Sequence, residues 1–498
     1  MSSSLFSTMN RLRRTLQWSG FSPTRLYASK RGGQNTLYAK LSPLGNPNIS
    51  LVPELDRWAY KGTKVSTAEL NRIIRDLRMR RRYKQALEVS EWMGVKCSLR
   101  SSDHAVQLDL IGRVHGLDSA ETYFNNLNEK DLNEKTYGAL LNCYVREKLT
   151  ERSLSHMQKM KELGFASSAL PYNDLMCLYT NTGQYERIPE LLAEMKENKV
   201  VPDNFSYRIC INSYGERSDI EGMEKVLEEM EGQAHIVMDW NTYAAVANAY
   251  RKAGLTDKAV SALKESEKKL EGETKAEGYN FLITLHGSLG NKLEVERLWK
   301  CKKASKKVIN KDYISMLGAL VKLNEFEDAK SLLKEWETCA NNFDFRVPNV
   351  LLIGYCQRGM LEKAEAMLEE IMKKGKVPIP NSFGILAAAF VEKGDMGKAF
   401  EYMKKAISSY PGNEGWRPTP TVIKKLLQWL GEEGRVEEVE GFVGLLSAVI
   451  PMDRGMYHTL IKANIREGKE YKEILESMEA NNIKPDEVTK EILGSRHE

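Results

Sequence analysis

The sequence predicts an all-α chain, a right-handed superhelical solenoid of about twelve helical hairpins, and three observations carry that prediction. Six tyrosines, Tyr137, Tyr172, Tyr207, Tyr243, Tyr279 and Tyr313, recur 35, 35, 36, 36 and 34 residues apart. A period in the mid-thirties is that of stacked hairpins, each burying its apolar face against its neighbours. Glycine stands at the fifteenth place of seven of the repeats the tyrosines define (Gly183, Gly254, Gly290, Gly359, Gly394, Gly434 and Gly468). There it is expected to end a first helix in a left-handed turn. Five residues later Ala86, Ala120, Ala259, Ala329, Ala364 or Ala399 lets a second helix approach closely.

The elements follow in order. Residues 1–27 read as a leader and 28–66 as a lead-in segment. Repeats 67–100 and 101–133 keep the alanine landmark, while 134–168, 169–203, 204–239, 240–275, 276–309 and 310–344 carry the tyrosines. In 345–379 the second helix reads Leu361, Ala364, Met367, Leu368 and Ile371, one apolar face at helical spacing. Repeats 380–419, 420–453 and 454–486 keep the glycine, and 487–498 is a partial repeat that caps the array. Several repeats close on proline, as in Val201-Pro202-Asp203 and Lys484-Pro485-Asp486, since proline cannot continue a helix.

Charge divides the chain. The formal charge is +5, but the first 53 residues carry +7 and no acid, so the remainder carries −2. Bulk charge therefore gives no argument for nucleic acid. Met1 to Lys30 is rich in Arg and Ser, free of acids and weakly amphipathic, the composition of an organelle transit peptide. With Arg25 three residues before a cut after Tyr27, the mature chain is expected to begin near Ala28 in the mitochondrion, the plastid being the alternative. No apolar run is long enough to span a bilayer; Gly441 to Ile450 is the best stretch. Seven scattered cysteines without CxxC read as buried thiols of a reducing compartment.

No phosphate-cradling GxxxxGK[ST] or GxGxxG, no HExxH and no HxE followed by CxxC occurs. The histidines share no spacing, and the repeats account for nearly every residue, so neither catalysis nor a cofactor is expected.

Leu170-Pro-Tyr-Asn-Asp-Leu-Met with Gly183, then Glu190-Leu-Leu-Ala-Glu-Met-Lys and Val201-Pro-Asp203, resembles the pentatricopeptide repeat. The resemblance runs over residues 67–486. Asn35 to Gly45 and Thr136 to Tyr144 further resemble a plant mitochondrial subfamily built of the plain repeat. It implies a monomeric protein that binds single-stranded organelle RNA, one base per repeat. The fifth residue of the first helix and the last residue of the repeat address the base, and the second residue helps sandwich it.

Carried across, Asn173 with Asp203 is the complete pair, of the type associated with uridine. Asn71, Asn280 and Asn349 hold fifth places but end on Arg100, Ile309 and Ile379. Lys135, Arg208, Lys311, Arg346 and Lys424 lie near the same face as candidates for phosphates. The structural alternatives are a solvated Asn in a first turn, and helix caps for Asp203, Asp239, Asp344, Asp453 and Asp486. For the tyrosines, packing between repeats stands against base stacking. Degenerate fifth and last places, and charged second places such as Glu277, keep a second function open: a scaffold attached to the mitochondrial ribosome or a protein partner.

Overall fold

The computed structural model describes residues 37–41, 44, 49–60, 66–272, 275–305, 307–340, 342–410 and 416–494. The transit peptide and its cleavage site lie outside these residues. Among them every regular element is helical. The chain divides into two compact blocks, one ending at Leu270 and one running from Glu271 to Glu498.

In the first block the helices come in pairs: Thr67–Met79 with Tyr83–Lys96, Ser101–Val114 with Leu117–Asn125, Glu134–Arg146 with Thr150–Glu162, Ala169–Thr182 with Arg187–Glu197, Asn204–Arg217 with Ile220–Glu231, and Trp240–Lys252 with Thr256–Lys268. The lead-in segment is itself helical, with Leu37–Leu41 and Val52–Tyr60, the latter packed on Tyr83–Lys96. Leu37, Leu41, Leu51 and Leu55 are buried, so this segment covers the apolar end of the first repeat.

The second block repeats the plan: Lys275–Ser288 with Lys292–Ser305, Asn310–Lys322 with Phe326–Cys339, Pro348–Gln357 with Leu361–Lys373, Pro380–Lys393 with Met396–Ser408, Pro420–Glu433 with Val436–Ser447, Arg454–Arg466 with Lys472–Ala480, and a final helix Glu487–Gly494. In most repeats a first helix packs on its own second helix and on the first helix of the next repeat.

Six of the seven fifteenth-place glycines have a left-handed backbone, φ between 69° and 87°. Gly434 departs from the expectation: it is extended (φ −71°, ψ 143°), and a Cβ there would meet Leu430. Four other repeats enter the same left-handed turn at this place with Arg81, Lys148, Ser218 and Asn324. The turn is thus imposed by the packing of the two helices and not by the residue. The alanines five residues on are all fully buried.

A second small-residue column sets the spacing between repeats. A Cβ on Gly287 would lie 2.7 Å from Ala319 Cβ and 2.9 Å from its Cα, and one on Gly215 would lie 2.7 Å from Ala249 Cβ. The first helices touch backbone to backbone there. Gly287→Val is expected to lower stability by about 1–3 kcal/mol through overpacking. Gly318→Ala, whose Cβ would meet Val350 only at 4.0 Å, is expected to be neutral or stabilising. Thermal melting of both decides it, and equal behaviour would refute close approach at Gly287.

The tyrosines are packing residues. Tyr172 and Tyr207 are 1% exposed, and Tyr137, Tyr279 and Tyr313 are buried as well, Tyr243 being half-buried. Three of the hydroxyls turn to their own second helices: Tyr207 donates to Glu229 at 2.8 Å and Tyr313 to Glu335 at 3.1 Å, while Tyr172 accepts from Asn198 at 3.1 Å.

Candidate nucleic-acid interface

Fifth-place residues sit in the first turn of each first helix, beside the loop that starts the next repeat. The solvated alternative fails for three of the four asparagines: Asn173, Asn280 and Asn349 are buried, and Asn71 is half-buried. Each is held by the third residue of the following repeat, a partner the repeat pattern did not single out.

At the first such seam Asn71 donates through Nδ2 to Asp103 at 3.0 Å. Asp103 also accepts from the backbone and guanidinium of Arg100, the last residue of the first repeat. Burial disfavours its charge, yet the Arg100 and Asn71 hydrogen bonds hold its carboxyl below the ordinary range. At the next, Asn173 donates to Asp203 Oδ1 at 3.2 Å and accepts from the Ser206 hydroxyl at 2.7 Å. Asp203 Oδ1 simultaneously caps the helix Asn204–Arg217 by accepting from the amides of Phe205 and Ser206. The resemblance pair and the cap are therefore one arrangement, not alternatives.

In the second block Asn280 donates to Asp312 Oδ1 at 2.6 Å, and Asn349 accepts from the Ser382 hydroxyl at 2.9 Å. His458 follows the same rule, with Nε2 2.8 Å from the Thr489 hydroxyl and 3.6 Å from Asp486. Burial lowers the His458 pKa, opposed by the Asp486 charge. Asp312 is almost wholly buried, accepts from the Ile309 amide at 2.9 Å, and pairs with the equally buried Lys302 at 3.1 Å.

Of the predicted caps, Asp203, Asp239, Asp453 and Asp486 each accept from an amide of the next first turn. Asp344 differs: it accepts from the Arg346 amide at 3.0 Å in a turn ahead of the helix that Pro348 begins.

The basic candidates divide. Arg208 pairs with Asp239 at 3.1 Å, Arg346 with Asp344 at 2.6 Å, and Lys311 with Glu277 at 3.0 Å. The last joins the second places of two successive repeats, where the resemblance implies a base sandwich. Lys135 and Lys424 are exposed, and no ion pair forms to either among the described residues. No group of His, Cys, Asp and Glu suited to a metal occurs among them either.

Next to Asn173, Asp174 is held by the Asn142 amide at 3.3 Å. Burial pushes its pKa up to about 7, with the Asp109 charge adding to the shift and Asn142 opposing it. The folded chain keeps a proton there that the unfolded chain loses near pH 4, so this group removes stability as pH rises from about 4 to 7. Asp174→Asn is expected to stabilise the fold on the order of 2 kcal/mol above pH 7 and to change little at pH 4. Melting at both pH values checks this; an equal gain at both would show that the charge is not the cause.

The chain is similar to known proteins along most of its length. The PPR repeat model matches residues 135–165, 205–233, 241–269, 312–339 and 347–375, and the PPR repeat family model matches 168–216. The mitochondrial pentatricopeptide repeat-containing protein At4g21705 of Arabidopsis thaliana is 49% identical over 95% of this chain and 97% of its own length. The chain belongs to the pentatricopeptide repeat family. The large ribosomal subunit protein mL101 of the same plant is 34% identical over 94% of this chain and 96% of its own. Among solved structures, maize PPR10 aligns with 99% of this chain and 74% of its own, at 17% identity and a TM-score of 0.41.

Proposed function

We propose that this pentatricopeptide repeat protein is a non-catalytic binder of single-stranded RNA that acts in mitochondrial RNA processing, stability or translation. The observation that carries the reading is the column of fifth-place amides. Asn173, Asn280 and Asn349 are buried and Asn71 half-buried at the seams between repeats, at the same place of each repeat, with hydrogen-bonding atoms left over for a base edge. Single-stranded RNA is the form whose unstacked bases expose such edges. The basic, acid-free leader and the mitochondrial relative support the address. Asn173 and Asp203 are the best base-reading pair, with Asn71, Asn280 and Asn349 as further readers. Lys135 and Lys424 are the best phosphate contacts, since Arg208, Lys311 and Arg346 already face carboxylates. No helix among the described residues is long and apolar enough to cross a membrane.

A second reading has its own support. Similarity to a mitochondrial ribosomal protein over 94% of the chain, with the Lys311–Glu277 pair across two second places, favours a scaffold that meets folded RNA or protein by shape and charge. Crosslinking of bound RNA in isolated mitochondria, with sedimentation beside ribosomal subunits, separates the two. A sharp footprint on one transcript, with uridine opposite repeat 169–203, is the result expected of a reader. Broad ribosomal RNA crosslinks with co-sedimentation would replace that reading with the scaffold.

A further inference from the structure

The fifth-place amides are not equivalent, and the residue that makes them differ is three places into the next repeat. Opposite a carboxylate, which only accepts, an asparagine has to present its NH2 group. Asn71 and Asn280 do so toward Asp103 and Asp312, and their Oδ1 atoms take no part in those bonds. For Asn280 that oxygen is buried and has no hydrogen-bond partner in the fold. Opposite a serine the amide reverses. Asn349 accepts from Ser382 through Oδ1, and its Nδ2 is the atom left buried without a partner. Asn173 likewise accepts from Ser206, and Nδ2 gives one of its two hydrogens to Asp203. Buried polar atoms nearly always find partners, so an orphaned acceptor at one seam and an orphaned donor at another mark where a ligand of opposite hydrogen-bonding sense completes each site.

We propose that the third residue of the following repeat is a specificity-determining residue: Asp there makes the preceding asparagine an acceptor toward the base, and Ser makes it a donor. This rests on the RNA-binding reading above. An Oδ1 left without a partner at Asn280, and left out of the Asp103 bond at Asn71, favours a base edge that presents a donor, such as the exocyclic amine of adenine or cytosine. An Nδ2 left without a partner at Asn349, and with one hydrogen left over at Asn173, favours a base edge that presents an acceptor, such as the carbonyl of uracil or guanine. Neither preference follows from the fifth residue, which is asparagine in all four repeats, nor from the last, since Asn280 and Asn349 both end on isoleucine.

Reciprocal exchange tests it. Asp at the third place is already accommodated in this chain, where it also accepts from the amide of the residue three before it, Arg100 N for Asp103 and Ile309 N for Asp312. Ser382→Asp thus meets the Ile379 amide and the Asn349 NH2 group. In Asp103→Ser the released partner is Arg100, an exposed side chain. Full-length wild type and both variants, matched in thermal melting, are equilibrated with a random-sequence single-stranded RNA pool, and the retained RNA is sequenced. Ser382→Asp is expected to move one motif position from carbonyl-bearing toward amine-bearing bases by about tenfold in relative enrichment. Asp103→Ser is expected to move a different position the opposite way, and Ser382→Thr, which keeps the hydroxyl, is expected to keep the wild-type preference. Folded variants that enrich the wild-type motif unchanged, or shift every position alike, overturn this inference alone. Wild type that retains no RNA overturns the RNA-binding reading and this inference with it.

Discussion

Asp312→Ala is expected to lower the stability of the block Glu271–Glu498 by about 3–5 kcal/mol. Asp312 and Lys302 are each about 3% exposed at the side chain and lie 3.1 Å apart. The same carboxylate serves the Asn280 amide and the Ile309 backbone amide, while Lys302 also reaches the carbonyl of Ala276 at 3.2 Å. Removing the acid leaves a buried ammonium with a single carbonyl and a buried amide with nothing. That residue of unpaired charge, and not the worth of the pair, sets the magnitude. The double variant Lys302→Met/Asp312→Asn, which removes both charges and keeps an acceptor for Asn280, is expected to recover most of the loss. Urea denaturation of the full chain measures both. A single variant within about 1 kcal/mol of wild type would show that water or a rotamer change already supplies the ammonium with partners.

Asn173→Ala with Asp203→Ala is expected to weaken binding of the preferred RNA tenfold to a hundredfold, about 1–3 kcal/mol, with little effect on a scrambled RNA. The geometry adds a control that the residue pair alone does not suggest. Asp203 caps the next helix through the amides of Phe205 and Ser206, so its loss is expected to lower stability by about 1 kcal/mol. Melting must show the variant folded before affinity is compared. Lys135→Gln with Lys424→Gln is the companion change, because both lysines are exposed and stand apart from the ion pairs that hold Arg208, Lys311 and Arg346. It is expected to weaken all RNAs alike and to flatten the salt dependence, since phosphate contacts carry no sequence. Equal loss of preferred and scrambled RNA in a folded Asn173/Asp203 variant would end the case for base reading at this repeat.

How far the site was legible can be judged from single residues. The fifth-place asparagines stand out by their spacing, and Asp203 by its place at the end of a repeat. Their burial does not, because a polar side chain in a first turn is exposed on an isolated helix and is covered only once the next repeat docks. The third-place residues were visible in outline. Asp103, Ser206, Asp312, Ser382 and Thr489 form a polar column just ahead of the tyrosine place, easily taken for ordinary helix-start residues, which most of them also are. Likewise Arg208, Lys311 and Arg346 look free in the sequence; a carboxylate from an adjoining loop or repeat takes each of them.

What the chain determines by itself is whatever depends on local periodicity: the hairpins, their turn glycines, the buried alanines and the packing tyrosines. Each of these needs only one repeat and its immediate neighbour, and so each recurs in about half of the repeats. The close approach at Gly287, the helical covering of the first repeat by Leu37–Leu41 and Val52–Tyr60, the buried Lys302–Asp312 pair and the orientation of each asparagine amide were decided only by tertiary structure. The reason is physical. A hydrogen-bonding atom has no fixed role until the atom opposite is known, and in a solenoid that atom belongs to another repeat, about thirty residues along the chain.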